Sequence, residues 1–248
     1  MNERAKGLGL RAKGTKLIMA VLLSLSLQPL ALSPAVAADT TAAFLKIGIG
    51  ARPIGMGNAF SAIADDVNAI HWNPAGLAQL NKRELGMMDA QLFADTRLDF
   101  IGYAHPLKTG TLALSSLYLS QGALDARGPN RERLGSFTAS DMALSASYAR
   151  PLGHGVSLGL TGKYLQSRIA DATASGWAID VGAMARTGVD GLTLAMTAQN
   201  VGPGMRFLSQ TSKLPTTGSA GVAWRLPFGL LIGADYRRQV YDRRDSFS

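Results

Sequence analysis

From Arg83 onward, apolar and polar residues alternate with a period of two over stretches of about ten residues, the length a tilted strand needs to cross a bilayer. In one such stretch Val156, Leu158, Leu160 and Tyr164 fall on one face, with Ser157, Thr161 and Lys163 on the other. Trp177, Ile179, Val181, Ala183 and Ala185 oppose Asp180 and Arg186; Leu192, Leu194 and Met196 oppose Thr193, Thr197 and Gln199. Val222, Trp224 and Leu226 oppose Ser219 and Arg225, and Leu230, Ile232, Ala234 and Tyr236 oppose Asp235 and Arg237. Period two marks a sheet whose two faces meet different surroundings. The pattern predicts nine strands, near 83–93, 97–107, 111–121, 138–150, 155–167, 176–186, 191–200, 217–226 and 229–240.

A soluble sandwich alternates too, so connections and aromatic residues must separate the cases. Tight connections are expected at 108–110, 151–155, 187–191 and 227–229, and long ones at 121–137, 168–175 and 201–216. Short turns on one rim and long loops on the other characterise outer-membrane barrels. Tyr148 and Trp224 fall near the tight-turn rim on the apolar face, and Tyr164, Trp177 and Tyr236 near the opposite rim on the same face. Amphipathic rings settle at headgroup level, whereas in a soluble core they would fill mid-strand positions. Tyr103 and Tyr118 fit less well, since their strands alternate poorly. The expected fold is all-β: an antiparallel up-and-down transmembrane β-barrel over 83–248 with a small N-terminal hatch segment, rather than a secreted soluble β-protein. Bacterial single-chain barrels have even strand numbers. An odd count therefore means either a strand missed in the pattern or, as the favoured reading, a chain that ends before closure, with Tyr241 to Ser248 opening another long loop.

The N-terminus has a different character. Arg4, Lys6, Arg11, Lys13 and Lys16 precede the apolar run Leu17 to Leu27, followed by Pro29, Pro34 and Ala35-Val36-Ala37. This is the layout of a secretory signal peptide over 1–38, cleaved after Ala37 or Ala38; the run is too short for a membrane-spanning helix. Its removal lowers the formal charge from +8 to +4. No Lys/Arg stripe interleaved with aromatics accompanies that excess, so a nucleic-acid partner is not expected.

Candidate chemistry is sparse. The absence of cysteine excludes disulfides and cysteine-ligated metals. His71, His105 and His154 lack metal-ligand spacing and are expected at turns or rims; neither metal nor cofactor is expected. Gly155-Val-Ser157-Leu-Gly159 matches a nucleophile elbow, but that device needs a strand, a tight turn and a helix, and here the residues begin an alternating strand. Gly48-Ile-Gly50 is no dinucleotide loop, because Pro53 stands where the third glycine belongs. A non-enzymatic protein is expected. Lys163, Asp180, Arg225 and Asp235 share the polar phase and are the candidates to face a lumen, where they either tune passage or neutralise one another.

Residues 39–82 form the hatch segment. It carries Gly48, Gly50, Gly55 and Gly57, whose backbone freedom suits a segment folded in a confined space, then Asn58-Ala-Phe60, Ala64-Asp65-Asp66 and His71-Trp72-Asn73-Pro74-Ala75-Gly76-Leu77. Asp66 is placed to cap a short helix that stops near Asn73 before Pro74, or else Asp65 and Asp66 form a solvated turn. Gly-Met-Gly before Asn-Ala-Phe, the paired aspartates and the Trp-Asn-Pro-Ala-Gly-Leu run together resemble the start of the PorV/PorQ family of outer-membrane proteins, relatives of FadL-type transporters. The likeness continues at Ala198-Gln-Asn-Val-Gly-Pro203 and in the hairpin from Leu214-Pro215 to Tyr236. It implies an outer-membrane barrel with Asn73, Pro74, Ala75 and Gly76 as a hatch motif inside it. It also implies contact with outer-membrane lipid and passage of small or hydrophobic molecules. The alternative is a component of a protein-secretion and surface-attachment system, with other secretion proteins as partners.

Overall fold

A computed structural model describes residues 40–248 of the chain, apart from 128, 131, 208, 209 and 243. The signal-peptide assignment lies outside the described residues. The strands are β1 (Glu84–Gln91), β2 (Thr96–Pro106), β3 (Thr111–Arg127), β4 (Arg133–Gly153), β5 (Val156–Ile169), β6 (Ala172–Arg186), β7 (Leu192–Val201), β8 (Met205–Phe207), β9 (Gln210–Ser212), β10 (Thr217–Arg225), β11 (Leu231–Gln239) and β12 (Arg244–Phe247). Ten of them make one antiparallel sheet in chain order, β1 to β7 followed by β10 to β12. β8 and β9 pair as a separate hairpin inside the β7–β10 connection.

The alternation places the side chains as expected, with the apolar phase outward. On β5, Ser157, Thr161, Lys163 and Leu165 are buried against the N-terminal segment, while Leu158, Leu160 and Tyr164 are exposed on the other face. Trp177, Val181, Leu194, Met196 and Trp224 share that exposed face. Glycine, alanine and serine recur on the inner face, where Ala104, Ala113, Ala149, Ala195 and Ala223 receive Phe60, Ile63, Ile70 and Leu77 from the segment. A second cluster packs Phe44, Leu45 and Ile49 against Leu98, Phe100, Leu117 and Leu165. In the first cluster the strands supply mostly alanine and the segment the large side chains, whereas in the second both supply large ones.

The sheet is rolled around this segment. Ile63 Cδ1 lies 3.1 Å from where a Cβ on Gly233 of β11 would sit, and Val67 Cγ1 lies 2.5 Å from the equivalent point on Gly86 of β1. Four residues span at most about 14 Å. Eight strand spacings separate β1 from β11 in the sheet order, about 38 Å if the sheet were flat. Only a strongly curved sheet brings both strands to so short a segment.

Three expectations need correction. The sheet has ten strands rather than nine, because Arg244–Phe247 pairs with β11 instead of opening a loop. The connections expected at 121–137 and 168–175 are mostly strand: β3 and β4 run on to Arg127 and Arg133, past an irregularity between Gln121 and Leu124, and β5 and β6 meet at Ala170-Asp171. Continuing the ladder satisfies backbone groups that a polar loop would leave to water, and the polar composition hid this. Likewise Pro151 to Gly153 belongs to β4, so the tight turn there is only His154-Gly155.

The inner-face glycines mould the sheet to the segment. A Cβ on Gly182 would sit 2.1 Å from Asn73 Oδ1, and one on Gly159 2.2 Å from the Pro74 carbonyl carbon, whereas one on Gly218 meets nothing within 4 Å. Gly182→Val is therefore expected to cost about 1–3 kcal/mol through overpacking. Gly218→Val should stay within about 0.5 kcal/mol. Denaturant midpoints of the two variants check this; equal midpoints would mean that the segment does not press on β6.

Candidate functional site

The site is the interface between residues 40–80 and the inner face of the sheet. Its centre is Asn73. The side chain accepts from the Ala75 N–H (3.0 Å), which starts the 3-10 turn Pro74–Gln79, and donates to the Ser61 carbonyl (2.8 Å). Asn73, Pro74, Ala75 and Gly76 are all buried. Pro74 takes the first position of the turn, where a missing N–H costs nothing. Gly76 packs so closely on Ala64 that a Cβ would lie 2.1 Å from the Ala64 carbonyl oxygen. Ser157, the residue of the elbow-like motif, donates to the Ala75 carbonyl (3.1 Å) from within strand β5, and so pins this turn to the sheet.

The paired aspartates hold the segment together as well as to the rim. Asp66 accepts from the Asn68 N–H (2.9 Å) in a turn just ahead of the helix Ala69–Trp72, rather than capping it as expected: the N-cap is Asn68, and it carries no side-chain cap bond. Arg52 pairs with Asp65 and, at 3.3 Å, with Asp66; its guanidinium also lies 5.2 Å from the Phe60 ring centre. Arg225 reaches Asp65 at 3.6 Å but is largely exposed. It has the inward phase expected of it, yet it sits at the last residue of β10, on the tight-turn rim rather than deep inside.

The other three candidates are buried, and each has a partner. Lys163 on β5 lies 2.6 Å from Asp180 Oδ2 on β6 and donates to Asn200 Oδ1 (2.8 Å). Asp235 on β11 accepts the N–H groups of Phe60 (3.1 Å) and Ser61 (2.9 Å), and Arg237 lies 3.4 Å away. Lys163 and Asp180 pair with each other, whereas Asp235 pairs with Arg237 from outside the expected set and adds a direct anchor for the segment backbone. A buried carboxylate facing two N–H donors and a guanidinium has its desolvation offset by charge-assisted bonds.

Periodicity alone missed several participants. Arg237 stacks 4.3 Å from the Trp72 ring centre and donates to the Asn58 carbonyl (2.7 Å). Its inward phase was visible in the sequence, but nothing there marked its partner. Gln199 and Asn200 are both buried although adjacent, because a bulge on β7 sets two residues opposite Asp180; Asn200 takes a positive φ of 56° and its N–H donates to Asp180 Oδ1 (2.7 Å). A bulge breaks the period of two, and asparagine tolerates the left-handed region better than most residues. His71 is not at a rim: its ring stacks edge-on to Trp72, and its carbonyl accepts from Gln199. His105 lies on β2 near the tight turns, and His154 is in the β4–β5 turn with φ 52°.

The aromatic candidates all point outward. Tyr148 hydrogen-bonds the Thr109 carbonyl (3.4 Å) and Trp224 the Asp190 carbonyl (3.2 Å), each at a tight turn. Tyr164 and Trp177 are register partners on β5 and β6. Tyr236 packs against Phe247, with ring centres 5.0 Å apart, and its hydroxyl lies 3.1 Å from Asp245 Oδ1.

A polar cavity of about 60 Å³ lies beside His71, lined also by Lys46, Asn58, Lys163, Asn200 and Arg237. Burial, then Lys163 and Arg237, push the His71 imidazole down to about 3 from its ordinary value near 6.5. The docked segment thus favours neutral His71. Its contribution to docking is complete above pH 6.5 and is lost as pH falls toward 3, by up to about 1.4 kcal/mol per pH unit. Limited proteolysis of residues 40–80 should accelerate on acidification from pH 6.5 to 4.5 in the wild type, and less so in His71→Gln. Identical profiles would show that His71 does not control the docking.

A search of curated proteins finds no match to this chain. A family model does match, over residues 30–164, which takes in the whole segment and strands β1 to β4 with most of β5. The chain belongs to that family, the uncharacterised protein family UPF0164.

Proposed function

We propose that the chain is a bacterial outer-membrane β-barrel protein of the PorV/PorQ, FadL-like type, whose residues 39–82 act as a hatch controlling passage of small or hydrophobic molecules. The observation that carries this is the inverted placement of side chains. Leucine, valine, methionine and aromatic residues occupy the face away from the segment, with Leu114 63% and Met196 68% exposed, while the charged pairs lie between segment and sheet. Water penalises so extended an apolar surface, whereas a bilayer is its natural solvent. Consecutive antiparallel order and strong curvature support closure into a barrel, which would leave no backbone edge in lipid. Trp177 and Tyr164 toward one rim and Tyr148 and Trp224 toward the other support the two interfacial belts.

A second reading, a non-enzymatic outer-membrane component of a protein-secretion and surface-attachment system, draws support from the polar, 60 Å³ cavity beside the segment, which offers no apolar tunnel there. The two readings differ in whether the segment moves.

The membrane setting is tested by fractionation: the mature protein should sediment with the outer membrane, and recovery in the soluble periplasm would overturn it. Leu158→Arg, on the outward face, should impair assembly by about 2–4 kcal/mol, while Ser157→Ala, one residue away on the inner face, should leave insertion intact. In planar bilayers, the protein lacking residues 41–78 should conduct more than the intact chain. Unchanged conductance with normal insertion would favour the assembly role.

A further inference from the structure

The outward face is not uniform. Near the tight turns it carries an apolar groove of about 380 Å³. Ala146 on β4 and Gly162 on β5 are register partners, and being small they form its floor; Leu112, Leu114, Tyr148 and Leu160 stand around it. At one end the Tyr103 hydroxyl hydrogen-bonds His105 Nδ1 (3.1 Å), so that the ring lines the groove with its polar atom already paired.

The charged residues next to the groove-lining ones in the chain are basic. Arg150 follows Tyr148 by two residues on the same outward phase, and Lys108 lies in the adjacent β2–β3 turn; both are exposed. Neither 100–124 nor 142–170, the stretches that build this sector, contains a single aspartate or glutamate. An apolar slot on the tight-turn side of the sheet, with two basic side chains that make no ion pair among the described residues, complements an amphiphile with a hydrocarbon tail and an anionic head.

We propose that this groove is a binding site for one phospholipid of the leaflet on the tight-turn side, with an acyl chain over Ala146 and Gly162 and the phosphate toward Arg150 and Lys108. The site rests on the membrane reading above and adds a defined ligand to it. A smooth outward face would only be wetted by exchanging lipid; a recess with a charged mouth selects and retains one.

The full chain, inserted into vesicles of equimolar phosphatidylcholine and phosphatidylglycerol, is extracted in mild detergent and its retained lipid counted by native mass spectrometry. One phosphatidylglycerol per chain is expected. Gly162→Leu should insert normally, because a Cβ there meets nothing within 4 Å. It should also lower retention on the order of tenfold by filling the groove. Ala146→Leu, which fills it from β4, should do the same. Arg150→Gln should shift the retained lipid from phosphatidylglycerol toward phosphatidylcholine. Inserted wild type that retains no more lipid than the filled variants would overturn the site while sparing the membrane reading. Retained dimers in place of lipid, lost in Gly162→Leu, would assign the groove to a second copy and also overturn it. Failure of the wild type to insert would overturn both readings.

Discussion

Two buried ion pairs and the backbone groups that surround them decide how this chain is arranged. Lys163 with Asp180, and Arg237 with Asp235, sit on strands whose inner face is cut off from water by the N-terminal segment. Burying such groups is tolerable only when their remaining hydrogen-bonding capacity is met. The segment meets much of it for Asp235 with two N–H groups, and the β7 bulge for Lys163 and Asp180 through Asn200, while Arg237 Nε and, apart from its ion pair with Lys163, Asp180 Oδ2 are left without a hydrogen-bond partner among the described residues. Segment and sheet are therefore bound to one another: lifting residues 58–73 away would strip Asp235 of its two N–H donors and Arg237 of its carbonyl and ring contacts.

Steric fit works in the same direction. In one cluster the strands give mostly alanine to the inner face and the segment gives Phe60, Ile63, Ile70, Trp72 and Leu77; in the other both give large residues. Where the segment comes nearest to the strands, large residues on both sides would collide, as the near contacts of Gly159 and Gly182 with Asn73 and Pro74 make plain. The outer face has no such limit, and there the large apolar residues accumulate. Large apolar residues crowding the outward face, with paired charges held between segment and sheet, are the reverse of a soluble sheet packed on its own core.

The same inversion separates the two places where ligands could act. Inside, Asp235 and Arg237 are bonded by a segment of the same chain, so on the proposed reading any passage depends on that segment yielding. Outside, the one sector of β3 to β5 where Ala146 and Gly162 interrupt the large side chains lies beside basic residues without acidic neighbours. Inner and outer faces of the same strands are thus tuned independently, because successive side chains on a strand point to opposite sides.

The amino-acid sequence by itself determined the strands, their two faces and the outward aromatics, since period-two alternation reports directly on which side of a sheet a residue occupies. It also marked Asn73 to Gly76, Lys163, Asp180 and Asp235 as belonging together in phase or motif. Only the tertiary structure decided who partners whom. Asn200 joins the interior through a bulge that violates the alternation, and Arg225 keeps the right phase yet ends up exposed, because depth depends on where a strand ends. Polar strand extensions at 122–127 and 133–137 looked like loops, and Arg244–Phe247 like the start of one, because composition does not reveal ladder hydrogen bonds between distant residues. His71 was read as a rim residue for the same reason: its enclosure between Trp72, Lys163 and Arg237 is assembled from three separate stretches of chain, and no local pattern records such a meeting.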